Sequence, residues 1–292
     1  MLRESACGTL TERCPKMVHA AVARRWGLRS RAAAAAAERG YGMAVYEHPL
    51  HERARLLLRL ESVFAQLQQG PADAGCLRNA LRAYNELLDF CSRPELRLDL
   101  ILELERLAQS LAVWSQSPEA DEGPLRAWQF RIDQQLKALR EYREPFGQLL
   151  RHQDIIQLAR GRMGVAGGLA DCDLPILAFW KYQPPERIAG LLQGWRESLS
   201  ILQDSTNLIL ALLRDSCSWS GVEAPEGRYG ALLDARHPPS LICLELSDRA
   251  DYYPKISGGI HRFHIQWLPW LDQGTARAIE STIKFRLGLS AL

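Results

Sequence analysis

From 51 to 158 the apolar residues recur with the 3.6-residue period of a helix rather than the two-residue period of a strand. Leu56, Leu57, Leu60, Phe64 and Leu67 form one stripe, closed by Gly70-Pro71. A second helix is predicted over about 73–90, with Leu77, Leu81, Tyr84, Leu87 and Leu88 inward. Pro94 opens a third, in which Leu96, Leu100, Leu104, Leu107 and Leu111 recur until Ser117-Pro118 stops it. The fourth covers 124–143, with Trp128, Ile132, Leu136 and Leu139 on one side, and a short fifth covers 146–162. Helices of this length joined by short loops predict an antiparallel bundle.

The pattern changes at the glycine cluster 161–168. Beyond it, 172–182 carries a brief apolar and aromatic run that reads as a strand. Pro184-Pro185 starts a long helical region to about 214–216, bent near 196–200. After Gly221 the alternation is that of strands, at 228–234, 240–247, 260–268 and 279–287. Pro254, Ser257, Gly258 and Gly259 read as the turn before the third of these. In that strand Phe263, Ile265 and Trp267 face one way and Arg262, His264 and Gln266 the other. The expected fold class is α+β: an N-terminal antiparallel helical bundle (43–162), then a mostly antiparallel β-sheet domain with packed helix (163–292).

Charge separates the first 42 residues from the rest. They hold eight of the 36 Lys/Arg and three of the 34 Asp/Glu, with six alanines in a row at 32–37. The remaining 43–292 therefore carry a net charge of −3. The segment lacks the 7–15-residue apolar core of a secretory signal, so it is expected to be an extension outside the fold, disordered or an over-extended start, with the working protein beginning near Met43. A mildly acidic body argues against bulk attraction to nucleic acid or an anionic membrane. Seven scattered cysteines without a CxxC pair argue against a disulfide framework or zinc site and suit a reducing cytoplasm. No apolar run approaches the ~20 residues of a membrane span.

Catalytic and metal motifs are not recognisable. The glycine cluster matches neither GxGxxG nor GxxxxGK[ST] and follows a helix, so it reads as a joining turn. His261 and His264, three apart on a strand, face opposite ways and cannot share a metal. His48 and His51 flank Pro49 at a helix start and read as capping or packing. Asp171 and Asp173 lack a basic, nucleophilic or metal-binding partner at recognisable spacing. No enzyme, cofactor or metal site is therefore expected. What is left is basic: Arg93 and Arg97 at the junction of helices two and three, Lys255 before the strand, Arg262 on it, and Lys284 and Arg286 on the last strand. From the residues alone, two readings stand open, a shared groove for an acidic ligand and separate solvated charges.

Four segments, YEHPLHERAR followed by LLRLE (46–61), NELLDFCSRPELR (85–97), GGLADCDLPILAFW (167–180) and YPKISGGIHRFHIQWLP (253–269), occur in order over essentially 45–290. Together they resemble the ZapD family of bacterial cell-division proteins, which associate with FtsZ. The resemblance implies a non-enzymatic, cytoplasmic homodimer at midcell. It would bind the C-terminal tail of FtsZ and cross-link protofilaments into bundles at the division ring. The family's basic pocket maps onto Arg93 and Arg262, with Arg97 and Lys255 as neighbours; Lys284 and Arg286 are further candidates. At Gln266 the sequence departs from the pattern, where another Arg would extend the pocket. The competing reading is a nucleic-acid-binding protein using the same local basic patch. No membrane partner is expected.

Overall fold

The computed structural model describes residues 44–67, 74–116, 122–234, 236–246, 251–274, 277 and 279–292. The N-terminal segment 1–42 and the helix stops at Gly70-Pro71 and Ser117-Pro118 lie outside them. The described residues divide into two compact units, one of 44–55, 107–130 and 210–292, the other of 56–106 and 131–209.

Helices come first. They are α1 (Glu52–Gln66), α2 (Ala74–Cys91), α3 (Leu96–Ser115), α4 (Glu122–Glu141), α5 (Gln148–Arg151), α6 (Asp154–Arg162), α7 (Pro175–Lys181), α8 (Pro185–Glu197) and α9 (Ser200–Asp215). At the start of α1 the His51 ring nitrogen Nδ1 accepts the Ala54 N–H at 3.2 Å, the capping role expected from its place after Pro49. The apolar stripes are buried as the period requires: Leu96, Leu100, Leu104, Leu107 and Leu111 of α3 are at most 2% exposed. In the second unit Tyr84 of α2 donates its hydroxyl to the Leu192 carbonyl at 2.8 Å and meets Trp195 of α8 edge-on. Burial of that hydroxyl pushes its pKa up. Gln135 of α4 likewise ties to α9, donating to the Ser205 hydroxyl at 2.8 Å.

The run expected as a strand at 172–182 is instead helix α7. Pro175 occupies its first turn, where a fixed φ and a missing N–H cost nothing, and Leu177 and Trp180, three apart, are buried together. The expected bend at 196–200 is the break between α8 and α9. The glycine cluster joins α6 to α7 within the second unit.

Among the described residues the β part is two sheets, where one was expected, and their pairings are antiparallel. Strands β1 (Ala44–Pro49), β4 (Leu241–Leu246), β7 (Ile283–Ser290) and β2 (Cys217–Ala224) form the first in that order. Strands β3 (Arg228–Leu232), β6 (Arg262–Pro269) and β5 (Tyr252–Gly258) form the second. Ile242, Leu244, Phe285 and Leu287 of the first sheet and Ala231, Phe263, Ile265 and Trp267 of the second share one core. Aromatic rings join the layers: Trp267 lies 5.4 Å from Phe285, and Tyr229 lies 5.8 Å from the same ring. On the other face of the first sheet Arg214 of α9 grips Glu47 of β1 through two N–O contacts of 2.7 Å. That fork geometry is the strong form of a charge-assisted bond.

Residues 252–258, expected as a turn, are strand β5, and the turn is confined to the residues before Arg262. Proline and glycine there do not prevent pairing. Gly259 donates to the Arg262 carbonyl and Trp270 to the Asp251 carbonyl, so odd-numbered residues bond to β6 and even-numbered ones face the open side. Pro254 therefore falls where its missing N–H removes no ladder bond.

One half-buried histidine is expected to make the stability pH-dependent. His48 on β1 has an Nε2 without a partner among the described residues, and burial, helped by Arg55, holds its pKa below the ordinary 6.5. Below pH 6.5 the unfolded chain takes up a proton that the folded chain resists, so stability falls as the pH drops. His48→Gln is expected to flatten this acid limb in urea titrations between pH 7.5 and 5. An unchanged slope would exclude His48 as a contributor.

Candidate functional site

The outer face of the second sheet is built by β6 and its neighbours. Phe263, Ile265 and Trp267 are no more than 1% exposed, so the intervening Arg262, His264 and Gln266 are turned outward on a fixed backbone. This is the alternation expected from the sequence. Register then sets the rows. Lys255 of β5, Gln266 of β6 and Arg228 of β3 lie side by side, because Lys255 pairs with Gln266 and Arg228 pairs with Gln266. The next row is Ser257, His264 and Gly230, and beyond it Arg262 pairs with Leu232. The glycine leaves room for the imidazole, since a Cβ on Gly230 would stand 2.7 Å from His264 Nδ1.

No Asp or Glu occurs on β3, β5 or β6. Arg228, Lys255 and Arg262 are exposed, and none has an ion-pair partner among the described residues. Among the described residues the face is thus a cationic surface without a paired acid, edged by the exposed apolar groups Tyr253 and Leu232. Lys255, expected in a turn, is held on a strand.

Lys284 and Arg286 are placed elsewhere. On β7 they alternate with Phe285, which fills the shared core, so they emerge on the outer face of the first sheet. The core separates them from Arg262 and Lys255. Both are already matched with acids: Lys284 lies 3.2 Å from Glu223, and Arg286 pairs with Glu245. Arg286 also lies 5.1 Å from the centre of the Trp219 ring, which fits because its strand partner is Gly288, where a Cβ would come within 2.8 Å of the indole.

Arg93 and Arg97 belong to the other unit. Arg93 is exposed in the turn between α2 and α3, without an ion-pair partner among the described residues. Arg97, in the first turn of α3, lies 5.4 Å from the Tyr142 ring and 5.3 Å from the Phe146 ring and donates to the Glu144 carbonyl. Its guanidinium is oriented by these contacts. Asp171 and Asp173, expected to lack basic partners, are paired with cations from other segments, the first with Lys181 and Arg78, the second with Arg162. Among the described residues no cluster of His, Cys, Asp and Glu could hold a metal ion, and no helix is long and apolar enough to cross a membrane.

Arg228 was not anticipated as a site residue. Its strand is legible in the sequence, and pairing that strand with 260–268 as antiparallel neighbours places Arg228 beside Gln266. The Trp219 that underlies Arg286, and the Tyr142 and Phe146 that fix Arg97, were also missed, because contacts across distant segments leave no local spacing.

The family model for the ZapD cell division protein matches residues 58–266. A protein from Pectobacterium carotovorum subsp. carotovorum named cell division protein ZapD is 36% identical over 231 residues, covering 77% of this chain and 89% of its own length. Proteins of the same name from Dechloromonas aromatica and Nitrosomonas eutropha are 30% and 29% identical. They cover 84% and 86% of this chain and 98% and 100% of their own lengths. Matched along most of its length by both the family model and these relatives, the chain belongs to the ZapD family of cell division proteins.

Proposed function

We propose that the chain is a non-enzymatic division factor that binds the C-terminal tail of FtsZ. As a homodimer it cross-links FtsZ protofilaments into bundles at the division ring, in the cytoplasm at midcell. The observation that carries this reading is the acid-free outer face of the second sheet, where Lys255 and Arg262 stand unneutralised on a rigid backing. A flexible acidic tail can add its carboxylates to such a face through charge-assisted, salt-sensitive bonds. Arg93 and Arg97 are proposed as further cations for the tail on the other unit. Arg97 is pre-oriented by its two aromatic neighbours, which lowers the ordering cost of a new contact. Lys284 and Arg286 are left out, since their charges are already met by Glu223 and Glu245.

Each contact is weak, and the dimer is what makes the mechanism work. Two sites on one dimer bridge two filaments, and the repeated subunits of a filament turn modest affinity into avidity. The test is sedimentation of polymerised FtsZ, with and without its C-terminal tail, in the presence of this protein. Pelleting that requires the tail is the expected result; equal pelleting of tailless FtsZ would overturn the proposal. Salt-sensitive DNA binding by residues 43–292, without co-sedimentation, would favour the nucleic-acid reading instead.

A further inference from the structure

The row Arg228, Gln266, Lys255 sets two exposed cations on either side of an amide, on the face that carries Arg262. Gln266 lies at its centre, with a cation on the directly opposed residue of each neighbouring strand. Such cross-strand neighbours have Cβ atoms about 4.5–5.5 Å apart. A guanidinium and an ammonium on long arms can therefore converge over the Gln266 amide, which supplies further N–H donors. None of the three strands holds an acid that would fill the position, and the acid closest in sequence, Glu226 in the turn before β3, makes no ion pair with Arg228.

Arg262 and Gln266 are four residues apart on one strand, so the two cationic centres are about 13 Å apart along it at roughly 3.3 Å per residue. An extended peptide lying along the strand meets both. We infer that the second sheet reads an extended acidic peptide at two points. One carboxylate is held at Arg262. A second, about four residues away, is clamped between Arg228 and Lys255 over Gln266. This rests on the tail-binding proposal and specifies it: the bound tail lies along β6, and Arg228 supplies on the adjacent strand the cation that Gln266 does not.

The experiment measures binding of a fluorescent synthetic FtsZ tail peptide to the full chain and its variants over a range of salt concentrations. Arg228→Gln is expected to weaken binding about three- to tenfold and to reduce its salt dependence, as removal of one ion pair does. Arg228→Lys is expected to retain most of the affinity. Lys255→Gln tests the same clamp from the other strand, so the inference stays open to refutation if one variant fails to fold. A peptide carrying Asn or Gln in place of the clamped acid is expected to bind wild type more weakly and to be indifferent to Arg228→Gln. If Arg228→Gln and Lys255→Gln both bind as wild type while Arg262→Ala is weakened, the clamp is overturned and tail binding stands. If the wild-type chain does not bind the peptide at all, the tail-binding proposal falls and the clamp with it.

Discussion

Arg262→Glu is expected to abolish tail-dependent pelleting of FtsZ while the melting temperature stays close to that of wild type. The residue is exposed, opens β6 and bears no ion pair among the described residues, so little of the fold depends on its side chain. Surface changes of this kind usually alter stability by less than about 0.5 kcal/mol. Function is another matter. The reversal removes a cation from a face without acids and puts a carboxylate where the ligand's carboxylate would bind, so an attraction becomes a repulsion. In the proposed mechanism bridging uses both sites of a dimer, so a loss of about tenfold at each becomes about a hundredfold in cross-linking. Co-sedimentation at fixed salt, with circular dichroism on the same preparation, checks both halves. Undiminished pelleting would remove Arg262 from the site.

Trp267→Ala is expected to have the largest effect on stability, about 3–5 kcal/mol by urea unfolding, the range for deleting a buried aromatic side chain. Its ring is fully buried and meets Phe285 on the opposite sheet and Tyr252 on the adjacent strand, so truncation opens a cavity between the two layers. Against the 5–15 kcal/mol that separates most folded domains from unfolded chain, that is a large share. Trp267→Phe is expected to cost less. It keeps an aromatic ring in the site and removes an indole N–H that finds no acceptor among the described residues. A similar loss for both variants would mean that packing at this site tolerates no change of shape. Arg262 and Trp267 are five residues apart on the same strand, so the two variants separate the face that binds from the packing that supports it.

The helical half was legible because its stripes are long: Leu96 to Leu111 repeats over four turns, which no strand pattern imitates. Strand β6 was legible because strict alternation left Arg262, His264 and Gln266 one direction to face. Short apolar runs were not. The segment around Pro175–Lys181 has too few residues for its period to discriminate, and only Pro175 at the first turn marks it as a helix. Strand β5 was hidden by Pro254, Ser257 and Gly258, residues that are common in turns but tolerated on an outer strand. Sheet membership was also beyond local pattern. Lys284 and Arg286 alternate much as Arg262 does, and only the pairing of β7 with β4 and β2 puts them on the far side of the core. Arg228 gains its meaning from register, a relation between segments about 40 residues apart.

The position of Pro254 has a consequence for solubility. Strand β5 is the outermost of its sheet, and outer strands offer unpaired backbone groups to which another copy's strand can attach. With no hydrogen to give at the middle of that border, a second chain meets a gap where a continuous ladder would need a donor. Lys255, next to it, adds repulsion between like copies. A protein proposed to gather polymers into bundles thereby carries a safeguard against polymerising through its own exposed border.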